Sequence, residues 1–219
     1  MWMAGKALVA LAVACVCVLA AVPAFAQQQP PALAGSVSAA VSDDVRQLAR
    51  WVSASDDHHG SVFAVVDKKS AALHLFDRRG RLLASTPVLL GLARGDHAVA
   101  GTGALPPARI PLADRTTPAG RFESEPGRNL SGEDVVWFDY DAGLAIHRLR
   151  PATEAEHRPE RLASTIPDEH RISAGCVVVP VAFYEQVVQP TLGRMRGVVY
   201  VLPETRPLRD TFATAAAAL

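Results

Sequence analysis

The chain has 219 residues, of which 49% are hydrophobic, and its 22 basic side chains equal its 22 acidic ones in number. This length and composition suit one globular domain with terminal extensions. The balanced charge, with no clustered basic face, excludes a nucleic-acid or membrane-surface footprint.

The first 26 residues read as a secretory signal peptide. Lys6 supplies a positive start, Ala7 to Val22 is apolar and interrupted only by Cys15 and Cys17, and Ala24-Phe25-Ala26 has the small-x-small pattern of a cleavage site. The apolar run is short for a membrane span, so cleavage after Ala26 and no stable span thereafter are expected. A lipoprotein signal at Cys15 is poorly matched by Ala12-Val13-Ala14. Cleavage would remove Lys6 and leave Cys176 as the single cysteine of an exported chain. In an oxidising compartment such a cysteine is a free reactive thiol or an intermolecular partner.

Residues 27–60 divide into a leader rich in Gln, Pro, Ala, Gly and Ser and a helix. Val41, Val45, Leu48 and Val52 recur at helical spacing, Ser42 suits the cap, and Asp43 and Asp44 suit the positive end. The helix is expected to stop near Ser55 to Gly60. His58 and His59 beside Asp56 and Asp57 read as a polar loop rather than a metal site, since no further ligand cluster appears.

From Ser61 the texture is that of strands. Ser61 to Asp67, Ala71 to Asp77 and Arg81 to Gly91, joined by Lys68-Lys69-Ser70 and Arg78-Arg79-Gly80, predict a meander, with His74 as a strand-face residue. Leu92 to Arg115 reads as a long Gly- and Pro-rich loop. Thr116 to Phe122, Asp134 to Tyr140 and Gly143 to His147 are further extended segments. Arg148 to Ile172 is a charged, irregular stretch with Pro151, Pro159 and Pro167, long enough to be a lid, and Thr153 with Glu156 predicts a short capped helix in it.

Arg171 to Pro180 organises the rest. Gly175 lets the backbone turn sharply and lets another group approach the Cys176 sulfur. Val177-Val178-Val179 predicts a buried strand, and Pro180 opens a helix to Gln189 with Val181, Tyr184 and Val188 on one side. Gly197 to Leu202 is a last strand, and residues 203–219 are a surface tail. From these residues alone, Cys176 is either a nucleophile or one more small buried hydrophobe.

Ile146-His147 followed by Ser173-Ala174-Gly175-Cys176-Val177 resembles the signature of the L,D-transpeptidase catalytic domain, and Thr117-Pro118-Ala119-Gly120-Arg121-Phe122 is similar to that family's upstream element. The resemblance covers residues 61–202. It implies a mostly β domain, a curled β-sandwich or barrel with a few short helices and a lid loop between the histidine and the cysteine. It also implies activity on peptidoglycan stem peptides, with Cys176 as nucleophile, His147 as base, an oxygen of Arg148 orienting the ring, and no metal or organic cofactor. The acyl-enzyme would pass to an amine, giving a crosslink, an attached protein or an exchanged D-amino acid, or to water.

The general chemistry agrees, because a thiol needs a nearby base, and backbone N–H groups near Gly175 and Cys176 suit an oxyanion. The sequence departs from the family pattern at Ala174, at Arg148 after the histidine, in the longer His147–Cys176 separation, and at Val178, where a polar residue is usual. A non-catalytic or repurposed wall-binding domain of the same fold is therefore the alternative reading.

Overall fold

The computed structural model describes Met1, residues 39–151 and residues 153–213. The expected signal peptide, most of the leader and the Ala-rich end lie outside the described residues. Among the described residues no helix is long and apolar enough to cross a membrane.

The chain is mostly β. Helix α1 (Asp43–Ser55) begins where Ser42 caps it, its side chain accepting from the Val45 amide at 3.3 Å, and ends at Asp56 in the left-handed conformation. Strands β1 (Phe63–Asp67), β2 (Ala72–Phe76) and β3 (Leu82–Pro87) form the predicted meander. A short β4 (Leu90–Gly91) follows, and three single 3₁₀ turns occupy the long loop. Strands β5 (Gly120–Arg128), β6 (Asp134–Asp139) and β7 (Leu144–Arg148) run antiparallel in sequence.

The lid carries helix α2 (Arg158–Ala163), with Pro159 in its first turn where a missing N–H costs nothing. Thr153 precedes only a 3₁₀ turn and makes no side-chain cap, so the helix starts four residues later than the capping pattern predicts. Short strands β8 (Arg171–Ser173) and β9 (Val177–Val179) bracket the Cys176 loop. Helix α3 (Val181–Phe183) then widens into a π-helical turn, Tyr184–Val188. The change of pitch buries Phe183, Tyr184 and Val188 and leaves Val181 exposed, unlike the regular helix predicted. Strand β10 (Gly197–Val201) and helix α4 (Leu208–Thr211) complete the chain.

One eight-stranded sheet runs in the order β3-β2-β1-β10-β5-β6-β7-β9. Leu89, two residues beyond β3, exchanges both backbone hydrogen bonds with Val178 of β9 at 2.9 Å, so the sheet returns on itself as a nearly closed barrel. Strand β10 is not at an edge; it lies between β1, to which it is parallel, and β5. The inner faces pack together with Phe183, Tyr184 and Val188 in one core. A second core joins the outer face of β1 and β10 to Val45, Leu48 and Val52 of α1 and to Phe212. The segment after β10 is thus more than a surface tail: Phe212 closes this core, and Glu204 is buried in an ion cluster.

Candidate active site

Strands β7 and β9 lie parallel, with Ile146 opposite Val177, His147 opposite Val178 and Arg148 opposite Val179. Residues opposite one another point to the same side of a sheet, and so do residues two apart in a strand. His147, Val178 and Cys176 therefore share one face, and His147 and Cys176 are diagonal neighbours on it. The alternate residues, Ile146, Val177 and Val179, belong to the main core and hold both strands in place.

The Cys176 loop is fixed by a dense set of short bonds. Ser173 Oγ donates to the Cys176 carbonyl at 2.6 Å and accepts from the Gly175 amide at 3.1 Å. Thr117 Oγ1 donates to the Gly175 carbonyl at 2.9 Å and accepts from the Gly91 amide at 2.9 Å. Gly175 has φ +126°, and a Cβ there would fall 2.6 Å from the Thr116 carbonyl oxygen and 2.8 Å from Leu144 Cδ2. Both its conformation and its surroundings call for glycine. The structure thus brings together the three stretches singled out in the sequence, around Thr117, His147 and Cys176. Ser173 already engages the Gly175 N–H, so that donor is not free for a further acceptor.

His147 is buried, at 7% exposure, and its Nδ1 lies 2.8 Å from the Arg148 carbonyl oxygen. A carbonyl can only accept, so Nδ1 carries the proton and donates it, leaving Nε2 as the basic nitrogen. Burial, aided by the positive charges of Arg150 and Arg158 and opposed by the Arg148 bond and Glu133, lowers the ring to about 4. Cys176 is half-buried, with Sγ 3.8 Å from the Gly143 carbonyl oxygen. Burial pushes its thiol up, against the pull of the Ala145 N–H and the Arg150 charge. The resting site is therefore a neutral thiol beside a neutral imidazole, rather than the thiolate that a charged histidine would stabilise.

Val178 is fully buried and packs with Leu89 and with Leu162 of α2, under the lid. An apolar residue there seats the lid, so the departure from the family pattern has a packing reason. His170, at the end of the turn Pro167–His170 that leads into β8, is 3% exposed. Its Nδ1 lies 2.9 Å from the Val88 carbonyl oxygen and its Nε2 lies 3.0 Å from that of Ser164. Both nitrogens are engaged in tying the lid to the barrel, so His170 has none to offer a thiol. His58 bonds the Arg78 carbonyl and His74 bonds Ser85. Among the described residues no three His, Cys, Asp or Glu side chains gather as metal ligands.

Sequence reasoning missed the support behind this site. Lys68, which looks like an ordinary turn lysine, is 1% exposed. Its Nζ donates to Asp96 at 2.7 Å, to the Gly95 carbonyl at 2.5 Å and to the Thr117 carbonyl at 2.8 Å, with Glu204 at 3.5 Å. Arg171, at the start of β8, pairs with Glu204 at 2.5 Å and donates to the Lys68 carbonyl at 3.0 Å. Two cations and two carboxylates thus balance in the interior, and Asp96 is held well below the usual carboxylate range, most strongly by its bond from Lys68. No local pattern marks these residues, because the partners come from distant parts of the chain.

No family model matches the chain, and no curated protein matches its sequence. Among solved structures it is similar to the helical cell shape determining protein Pgp2 from Campylobacter jejuni, at 16% identity over 76% of this chain and 59% of that one, with a TM-score of 0.44. It is also similar to the LD transpeptidase LdtMt1 solved with imipenem, at 16% identity over 65% of this chain and 59% of that one, TM-score 0.36. The catalytic domain of the E. faecium L,D-transpeptidase gives 18% identity over 65% of this chain and 98% of that one, TM-score 0.35. The chain matches about three-fifths of the length of Pgp2.

Proposed function

We propose that the chain is an exported cysteine L,D-transpeptidase that acts on peptidoglycan stem peptides. One observation carries the reading: a cysteine on a glycine-turned loop, the one cysteine among the described residues, shares a sheet face with a histidine whose Nδ1 is locked by a backbone carbonyl. The quoted sequence signature and the signal-peptide pattern support the substrate class and the export.

The Cys176 thiol gives its proton to His147 Nε2 as Sγ bonds to the stem carbonyl. The carbonyl oxygen becomes an oxyanion facing the Cys176 N–H. Collapse breaks the C–N bond, and the protonated His147 returns its proton to the departing D-amino acid amine. An acceptor amine then gives His147 a proton and attacks the thioester, and Sγ leaves as the thiol once that proton is returned. Arg150, which places positive charge near both groups, favours the developing negative charge, and Arg158 adds to it on the His147 side.

The test is intact-protein mass spectrometry after incubation with a carbapenem, together with product analysis on disaccharide tetrapeptide. The expected result is a one-to-one adduct that Cys176→Ala abolishes. A mass unchanged after hours, with the tetrapeptide also unconsumed, would overturn the reading.

A further inference from the structure

The outer face of the sheet continues past the candidate active site. Glu125 of β5 is opposite Trp137 of β6, Trp137 is opposite Ala145 of β7, and the β7–β9 register sets Cys176 beside Ala145. Register partners point to the same side, so Glu125, Trp137, Ala145 and Cys176 form one row across the face away from the core. With strands about 4.8 Å apart, Trp137 stands roughly 10 Å from Cys176.

Here the face bears a groove of about 370 Å³ lined by Glu123, Glu125, Trp137, Phe138, Tyr140 and Arg196. The Trp137 and Tyr140 rings meet edge to face, with centroids 5.3 Å apart, and Tyr140 is 72% exposed. The indole has a seat made for it, because a Cβ on Gly127 of the neighbouring strand would come 2.6 Å from Trp137 Cδ1. Two carboxylates flank the rings, Glu125 paired with Arg196 at 2.9 Å and Glu123 with Arg121 at 2.7 Å.

Exposed aromatic faces bordered by carboxylate acceptors and guanidinium donors suit a ring with an apolar C–H face and a rim of hydroxyls. The same set suits other ligands poorly. Two carboxylates would repel a phosphate backbone. A lipid surface needs a wider apolar patch. A peptide strand needs a free sheet edge, and β5 and β6 are interior strands.

We propose that this groove binds a pyranose ring of the glycan strand whose stem peptide reacts at Cys176, an assignment that rests on the proposed function. The reach agrees. A carbonyl at the third stem residue lies about three extended residues from the sugar, roughly 10 Å. The groove would then select glycan-linked stems over free peptides.

The experiment uses the full chain carrying Cys176→Ala, to block turnover, and a peptide-free N-acetylglucosamine–N-acetylmuramic acid fragment as probe. Calorimetry and the Trp137 indole NMR signal are expected to show binding, weakened about tenfold by Trp137→Ala and by Tyr140→Ala. Tyr140 is exposed enough that its removal leaves folding intact, so it decides the matter should the tryptophan variant misfold. No binding, or equal binding by the Tyr140 variant, overturns the groove. Carbapenem acylation of the unmodified chain is scored separately. Acylation without glycan binding removes the groove alone, whereas glycan binding without acylation leaves a sugar-binding groove and removes both the enzyme reading and the link to a stem reacting at Cys176.

Discussion

At the scale of single residues, the decisive pair is a neutral imidazole and a neutral thiol, and this has a signature in pH. His147 held at about 4 stays unprotonated through the neutral range. Carbapenem acylation should therefore keep its rate as pH falls from 7 to 5 and lose it only as pH drops through about 4. An acid limb near the ordinary histidine value of about 6.5 would contradict the burial argument. His147→Ala is expected to slow acylation by about 10²–10⁴-fold, the worth of a positioned base, with circular dichroism confirming the fold. The depressed value also carries a stability term. It is fully present above the unfolded-state value of about 6.5, is lost as pH falls through about 4, and amounts to about 3 kcal/mol. Val178 makes a separate case. Because it lies dry between Leu89 and Leu162, Val178→Asn should cost about 1–3 kcal/mol in chemical denaturation and bring no gain in acylation.

At the scale of elements, much was legible. The 3.6-residue stripe and Ser42 located α1, and extended runs between turn residues located the strands, because those signals are local. The lid was legible as a long irregular segment but not in its anchoring. His170 sits among charged neighbours that suggest solvent, yet Leu162 inserts beside Val178 and draws the segment down, so that His170 meets two buried carbonyls. His170→Ala should release Ser164 and Val88 from these bonds, destabilise the fold by about 1–3 kcal/mol, and speed hydrogen exchange in residues 158–166. Unchanged exchange there would show that Leu162 alone holds the lid.

At the scale of the whole molecule, the resemblance implied a curled sandwich or barrel, but neither the contact that closes the sheet nor the buried charge cluster was legible in the residues. Each depends on residues far apart in sequence whose types carry no pattern: Leu89 and Val178 look like any apolar pair, and Lys68 like any turn lysine. Yet the cluster links four parts of the chain. Lys68 follows β1, Asp96 lies in the long loop, Arg171 opens β8, and Glu204 follows β10. Through the Thr117 carbonyl it also reaches the hydroxyl that holds Gly175 beside Cys176. Lys68→Met would leave Asp96 and Glu204 buried with too little positive charge, a situation that costs about 3–5 kcal/mol. The loss should persist in 1 M salt, because a buried cluster is poorly screened, whereas removing the exposed Arg196–Glu125 pair should cost little and depend on salt. If the cluster also positions the loop, carbapenem acylation at Cys176 should slow in the Lys68 variant under conditions where it remains folded. Pairing the variant with Asp96→Asn should return part of the stability by removing one unpaired charge, and a double-mutant cycle then measures the coupling. Full stability in the single variant would mean that the carboxylates find other partners and that the cluster does not bind the four segments together.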